Sequence, residues 1–157
     1  WLNVTHKNSK YKSYENKIEK QLNYEKRRKI DKIKTYQVFF KNVFNHAKKL
    51  NELIIKLKNK NMKVSGFGAS TKGNVLLQLA NISNSLIDRI YDVNQEKFGK
   101  YTPLTNIKIV DEASLIKEKQ DYLLILIWHF KKFIYKKIAN KNKKIKLIIP
   151  FPKIKII

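Results

Sequence analysis

Met62-Lys63-Val64-Ser65-Gly66-Phe67-Gly68-Ala69-Ser70-Thr71-Lys72-Gly73-Asn74 is the stretch on which the fold turns. A short apolar run, 62–65, reads as a strand and meets two glycines one residue apart. A helical segment, 72–80, follows at once, with Val75, Leu76, Leu79 and Ala80 as its expected buried side. Strand, glycine turn and helix open a βαβ unit. Strands are predicted again at 86–93, 107–110, 122–127 and 145–149, with helices at 112–119 and 130–139 and a polar loop at 94–103. The run Tyr122-Leu123-Leu124-Ile125-Leu126-Ile127 does not alternate, as expected of a strand covered on both faces. Pro150-Phe151-Pro152 ends the last predicted strand, because proline cannot donate to a ladder. The fold class is α/β: a Rossmann-like parallel sheet flanked by helices.

Upstream of the glycines lies a regular stripe. Tyr36, Phe40, Val43, Ala47, Leu50, Ile54 and Leu57 recur at alternating spacings of four and three, with Phe39 and Leu53 widening the row. This predicts a long amphipathic helix over 35–60 that packs on the domain core in preference to a coiled-coil dimer. Residues 1–34 are polar and Lys-rich, with scattered Ile18, Leu22 and Ile30, and read as a linker, a loose helix or the remnant of an upstream domain. The domain proper is then 35–157. The chain opens on Trp1 and its only Met is Met62, so it is read as a fragment or a processed chain.

Composition narrows the function classes. The 157 residues carry 35 Lys+Arg against 12 Asp+Glu, a formal charge of +23, and no Cys. Nucleic acid would be the first thought, since basic patches gain affinity by releasing phosphate counterions. Yet only Arg27, Arg28 and Arg89 are arginines, and the Lys, Ile and Asn excess is what AT-rich codons supply. Residues 1–60 hold 17 basic and 5 acidic side chains and residues 61–157 hold 18 and 7, so the charge is not confined to one half. A solvated Lys-rich surface is the preferred reading, and nucleic acid the lesser one. Without Cys there is no disulfide, no thiol nucleophile and no Cys-ligated zinc. His6, His46 and His129 are too scattered for a metal site. The longest nearly apolar run, 122–128, is far short of the ~20 residues of a membrane helix. The location is read as cytoplasmic, with no membrane partner.

In open α/β sheets, ligands sit beyond the carboxyl ends of the strands. Three segments fall there. Gly66 and Gly68 let the first turn bend tightly, and the helix that follows offers free N–H groups to an anion. The loop is no P-loop, because Lys72 precedes Gly73 and Asn74 stands where a Ser or Thr belongs. Nor is it a clean dinucleotide fingerprint, because Thr71 occupies the third glycine's place. Asp92 either accepts from a sugar hydroxyl or caps its own loop on backbone N–H groups, and the cap is slightly favoured. His129 either meets a ligand or faces water at a helix start, and water is favoured. No catalytic pair or triad can be assembled.

These segments also carry a resemblance. The run from Gly66 to Asn74 resembles the G-Y-G-A-x-x-K-G-N loop of the C-terminal domain of S-adenosylmethionine-dependent sugar C-methyltransferases. Asp92-Val93-Asn94, Lys97, Gly99, Tyr101, Pro103 and Thr105 are similar to that family's V-D-x-N-P-x-K-x-G-x-Y-x-P-G-T stretch. The likeness extends through Asp121–Leu126, Trp128 and Ile149-Pro150-Phe151-Pro152, and so covers about residues 35–157. Gln95, Leu104, Ile127 and His129 depart from the pattern, as do residues 140–144 in place of the usual Gly-Gly.

The resemblance implies a two-part active site. S-adenosylmethionine and the base would belong to an N-terminal methyltransferase domain, in cis or in trans, and nothing in residues 1–34 matches that domain. This chain would bind no cofactor by itself and would be inactive alone. It would wall the cleft and hold a nucleotide-linked deoxysugar through Gly66, Gly68, Ala69, Lys72, Gly73, Asn74, Asp92, Asn94, Tyr101, Trp128 and His129. Lys72 and the loop N–H groups would face phosphate or sugar oxygens, and Asp92 or Asn94 a hydroxyl. The alternative is a stand-alone Rossmann-like module for NAD or a similar nucleotide.

Overall fold

The computed structural model describes residues 4–11, 14–141 and 144–157, without the side chains of 139–141. It divides into two compact units, Trp1–Asn42 and Val43–Ile157. The first holds α1 (Glu15–Arg27) and the start of α2 (Ile33–Asn59). Thus 15–27, read as linker or loose helix, forms a helix. None of the described residues of this unit is buried.

The second unit contains the sheet. Its strands are β1 (Val64–Phe67), β2 (Arg89–Asp92), β3 (Lys108–Asp111), β4 (Tyr122–Ile125), β5 (Lys146–Ile149) and β6 (Lys155–Ile156), in the order β3-β2-β1-β4-β5-β6. The first five are parallel, and β6 returns antiparallel to β5. The chain reverses direction across the sheet between β1 and β4, which makes a switch point at their carboxyl ends. Helix α3 (Thr71–Leu79) connects β1 to β2, and α4 (Lys131–Lys141) connects β4 to β5.

Alternate residues of β4 feed opposite faces. Leu124 and Leu126 join a core with Ala47, Leu50, Ile54 and Leu57 of α2 and Leu76, Leu77 and Ala80 at α3. Leu123 and Ile125 join the other, with Ile134 and Ile138 of α4 and Leu115. This two-sided burial is why the 122–127 run lacks alternation, and truncating a residue such as Leu124 to Ala should cost about 2–5 kcal/mol.

Several local expectations are corrected. β1 lies at 64–67, not 62–65, because Gly66 is a strand residue: a Cβ there would stand 2.7 Å from Ile90 Cγ1 on β2. Val75 and Leu79 are exposed, and Leu77 is buried instead. The cause is Gly73, whose added Cβ would be 2.7 Å from Leu126 Cβ. Contact at Gly73 sets the buried face to Gly73, Leu76, Leu77 and Ala80. Only Glu112–Ile116 of the 112–119 helix forms, as a 3-10 turn capped by Asp111. Strand β6 was not anticipated after Pro152. Tyr36, Phe39 and Phe40 of the apolar stripe are exposed, whereas its later members Ala47, Leu50, Ile54 and Leu57 are buried.

Candidate functional site

At the carboxyl ends of β1 and β2 lies a cavity of about 600 Å³. Its floor is the β1–α3 turn. Gly68 sits at φ +84°, and an added Cβ would lie 2.5 Å from Ile127 Cγ1, so no other residue fits without displacement. Gly68 N–H donates to Tyr91 O at 2.7 Å. Ser70 caps α3, its Oγ accepting from Gly73 N at 3.0 Å while donating to Leu126 O at 3.1 Å. The first-turn N–H groups of Thr71 and Lys72 are left without intrahelical acceptors, as at every helix start.

Asp92 holds this turn closed. It is 6% exposed. Its Oδ2 accepts from Ala69 N at 2.6 Å and its Oδ1 from Asn94 N at 2.8 Å. Lys97 Nζ donates to Ala69 O at 2.7 Å and stands 3.5 Å from Asp92 Oδ2. The geometry is therefore that of a loop cap, with the carboxylate already engaged by two backbone amides and an ammonium.

The opposite wall is the 97–102 segment, folded back along β3. Gly99 N donates to Ile109 O at 2.9 Å and Ile109 N to Lys100 O at 2.8 Å. Tyr101 forms an antiparallel bridge with Lys108. This pairing fixes exposed Lys100 and Tyr101 on the cavity, where Lys100 has no ion pair among the described residues. Asn74 completes the lining, and its buried Oδ1 has no hydrogen-bond partner among the described residues.

Of the residues singled out in the sequence, Gly68, Ala69, Asn74, Asp92, Asn94 and Tyr101 line this cavity. The remaining five do not. Gly66 is buried in β1. Gly73 is packed on Leu126. Lys72 is exposed on α3. Trp128 packs against Phe151, ring centroids 4.8 Å apart, and exposed His129 stacks on Trp128 at 5.0 Å. Phe151 in turn stacks on His46, whose Nε2 lies 2.7 Å from Pro150 O.

Lys97 and Lys100 were not chosen as site residues. Lys97 was visible as a motif position, but its hydrogen bond back to Ala69 joins residues 28 apart in sequence and has no local signature. Among the described residues no group of three or more His, Cys, Asp or Glu could hold a metal ion. No helix there is long and apolar enough to cross a membrane.

The family model for the C-methyltransferase C-terminal domain matches residues 2–152. The chain belongs to that family. No curated protein matches this C-methyltransferase C-terminal domain. Among solved structures it is similar to the UDP-D-quinovosamine 4-dehydrogenase from Vibrio fischeri, at 22% identity over 55% of this chain and 77% of that chain, with a TM-score of 0.39. So partial a likeness bears on neither ligand nor activity of the domain.

Proposed function

We propose that this chain is the substrate-holding part of an S-adenosylmethionine-dependent C-methyltransferase acting on a nucleotide-linked deoxysugar. The methyl donor and the proton-abstracting group belong, in this reading, to an N-terminal methyltransferase domain in cis or in trans. Family membership supports it, together with one observation: Lys97, Lys100 and the start of α3 converge on one cavity at the switch point.

The chemistry of that cavity suits a diphosphate. Asp92 offsets Lys97, so the Lys100 ammonium and the positive end of a helix are what favour an anion. Asn74, Asn94 and Tyr101 add groups that hydrogen-bond a sugar or a nucleobase edge. The chain's residues bind and orient; no proton transfer is assigned to them. Holding the reacting carbon in place is worth several kcal/mol of barrier by itself.

S-adenosylmethionine supplies the methyl group when bound, but the residues here do not fit it. A ribose in such a fold is met by a free acidic side chain past β2. Asp92 occupies that place with both oxygens engaged by Ala69, Asn94 and Lys97. The same engagement weighs against an NAD module.

Calorimetric titration of the chain with deoxythymidine diphosphate tests the reading. Weak binding that Lys100→Ala reduces roughly tenfold, a loss of about 1.4 kcal/mol, is the expected result. A folded chain that ignores the diphosphate but is stabilised by NAD would overturn it.

A further inference from the structure

Asp92 and Lys97 carry opposite charges on the wall of the carboxyl-end cavity, and both reach the backbone of one residue, Ala69. Asp92 Oδ2 accepts from the Ala69 N–H and Lys97 Nζ donates to the Ala69 carbonyl, across sequence separations of 23 and 28. The reach is built locally. Asp92 ends β2, and its Oδ1 accepts from Asn94 N. Asn94 Oδ1 accepts from Glu96 N at 3.0 Å and Asn94 O from Lys97 N at 3.0 Å, which winds Gln95–Lys97 into a 3-10 turn. That turn delivers the Lys97 ammonium to the end of β1.

Holding both the N–H and the C=O of one residue fixes the two planar peptides that flank it. The second of these carries the Ser70 N–H, and the chain then enters α3. Neither the Ser70 N–H nor the Thr71 N–H meets an acceptor among the described residues, and both residues line the cavity. Asn74 Oδ1, one turn further along α3, also has no partner there. The polar groups left unpaired are thus on the α3 side, while the two charges beside them are occupied with the turn.

We propose that Asp92 and Lys97 form one positioning unit, which holds Ala69 so that the N–H groups at the start of α3 are set for a phosphate before it arrives. This role rests on the diphosphate reading above and deepens it: Lys100 supplies the charge, and Lys97 acts through Ala69 without touching the ligand. Charge separates positioning from direct contact. A carboxylate repels a nearby phosphate, so by Coulomb's law alone its removal strengthens anion binding. It would also release Lys97 to the ligand. If the carboxylate positions the turn, its removal weakens binding instead, because donors ordered in advance leave less ordering to be done on binding. Asn at position 92 offers one acceptor oxygen to two N–H donors, so one of the two backbone bonds is lost.

Calorimetric titration of the full chain with deoxythymidine diphosphate tests this. Asp92→Asn and Lys97→Met are each expected to weaken binding about tenfold, and the double variant no more than either alone. Asp92→Asn that binds the diphosphate as tightly as the unaltered chain, or more tightly, overturns the proposal and leaves the diphosphate reading intact. So does a double variant that loses the sum of both effects, which would place Lys97 on the ligand itself. An unaltered chain that binds no diphosphate overturns the reading and the positioning role together. Should Asp92→Asn fail to fold, Lys97→Met decides alone: the amide resonances of Gly68–Lys72 must move in the ligand-free chain, and resonances that stay in place overturn the proposal.

Discussion

The two ends of the sheet have cavities of similar size, about 600 Å³ at the carboxyl end and about 550 Å³ at the amino end, and both are lined by lysines. What separates them is what surrounds the charges. At the amino end a buried chain of polar groups is closed on itself. Ser65 Oγ donates to Gln120 Oε1 at 2.8 Å, Gln120 Nε2 to Tyr91 Oη at 3.0 Å, and Tyr91 Oη to Glu118 Oε2 at 2.7 Å. Arg89 then joins Glu118 at 2.6 Å and Asp88 at 2.9 Å. The helices α2 and α3 end on this side, where free carbonyls draw cations, and Lys58 donates to Ser85 O. At the carboxyl end α3 begins, its dipole adds to Lys100 while Lys97 is paired with Asp92, and Asn74 Oδ1 has no donor among the described residues. Volume does not distinguish the ends, and by cation count the amino end, with Lys58, Lys63, Lys119 and Arg89, is the richer. Helix polarity and hydrogen-bond completeness separate them: at the amino end the polar groups are paired with one another, whereas at the carboxyl end a helix begins and an acceptor lacks its donor.

Substitutions sharpen that contrast, beginning with the largest effect. Gly68→Val would combine backbone strain of about 1–2 kcal/mol with overpacking against Ile127 of about 1–3 kcal/mol. Thermal melts should show a loss of roughly 3 kcal/mol and no residual diphosphate binding. Tyr91→Phe strikes the amino end, leaving Glu118 and Gln120 short of a partner at a cost of about 1–3 kcal/mol while diphosphate affinity stays as it was.

The same tyrosine sets an alkaline limit. Burial, and then the Glu118 carboxylate that accepts its proton, hold the Tyr91 phenol well above its ordinary range. Above pH ~10 the unfolded chain releases this proton while the folded chain keeps it, so stability declines with pH by up to about 1.4 kcal/mol per unit. Below that pH the contribution is fully present. Denaturant melts from pH 9 to 11 should show a slope that Tyr91→Phe reduces by about one proton. A slope unchanged by the substitution would contradict the network.

Smaller effects discriminate within the open end. Lys72→Ala, exposed and away from the cavity, should change diphosphate affinity by less than about twofold and stability by less than about 0.5 kcal/mol. An effect as large as that of Lys100→Ala would return Lys72 to the site.

Much of the fold was legible because its signals are local. The unbroken Tyr122–Ile125 run and the strand–glycine–helix order placed the central strands and α3. Asp92 as a loop cap was also legible, since acceptance from Asn94 N two residues on is a short-range habit. Gly66 was misread as a turn glycine because its need, clearance from Ile90, arises only once β2 lies alongside. Strand β6 is two residues of a Lys-Ile-Lys-Ile-Ile tail, specified by the edge of β5 more than by its own pattern. Lys97 was visible as a motif position, but Lys100 could not be picked out among so many lysines, because only the fold-back along β3 brings it to the cavity.

The central claim is that the anion enters at the carboxyl end of the sheet. Mapping amide chemical shifts of the chain during titration with deoxythymidine diphosphate tests it most directly. Shifts concentrated at Gly68–Asn74 and Lys97–Tyr101, and abolished by Lys100→Ala, are the expected outcome. Shifts centred on Lys63, Arg89 and Lys119 at the amino end, insensitive to Lys100→Ala, would contradict it.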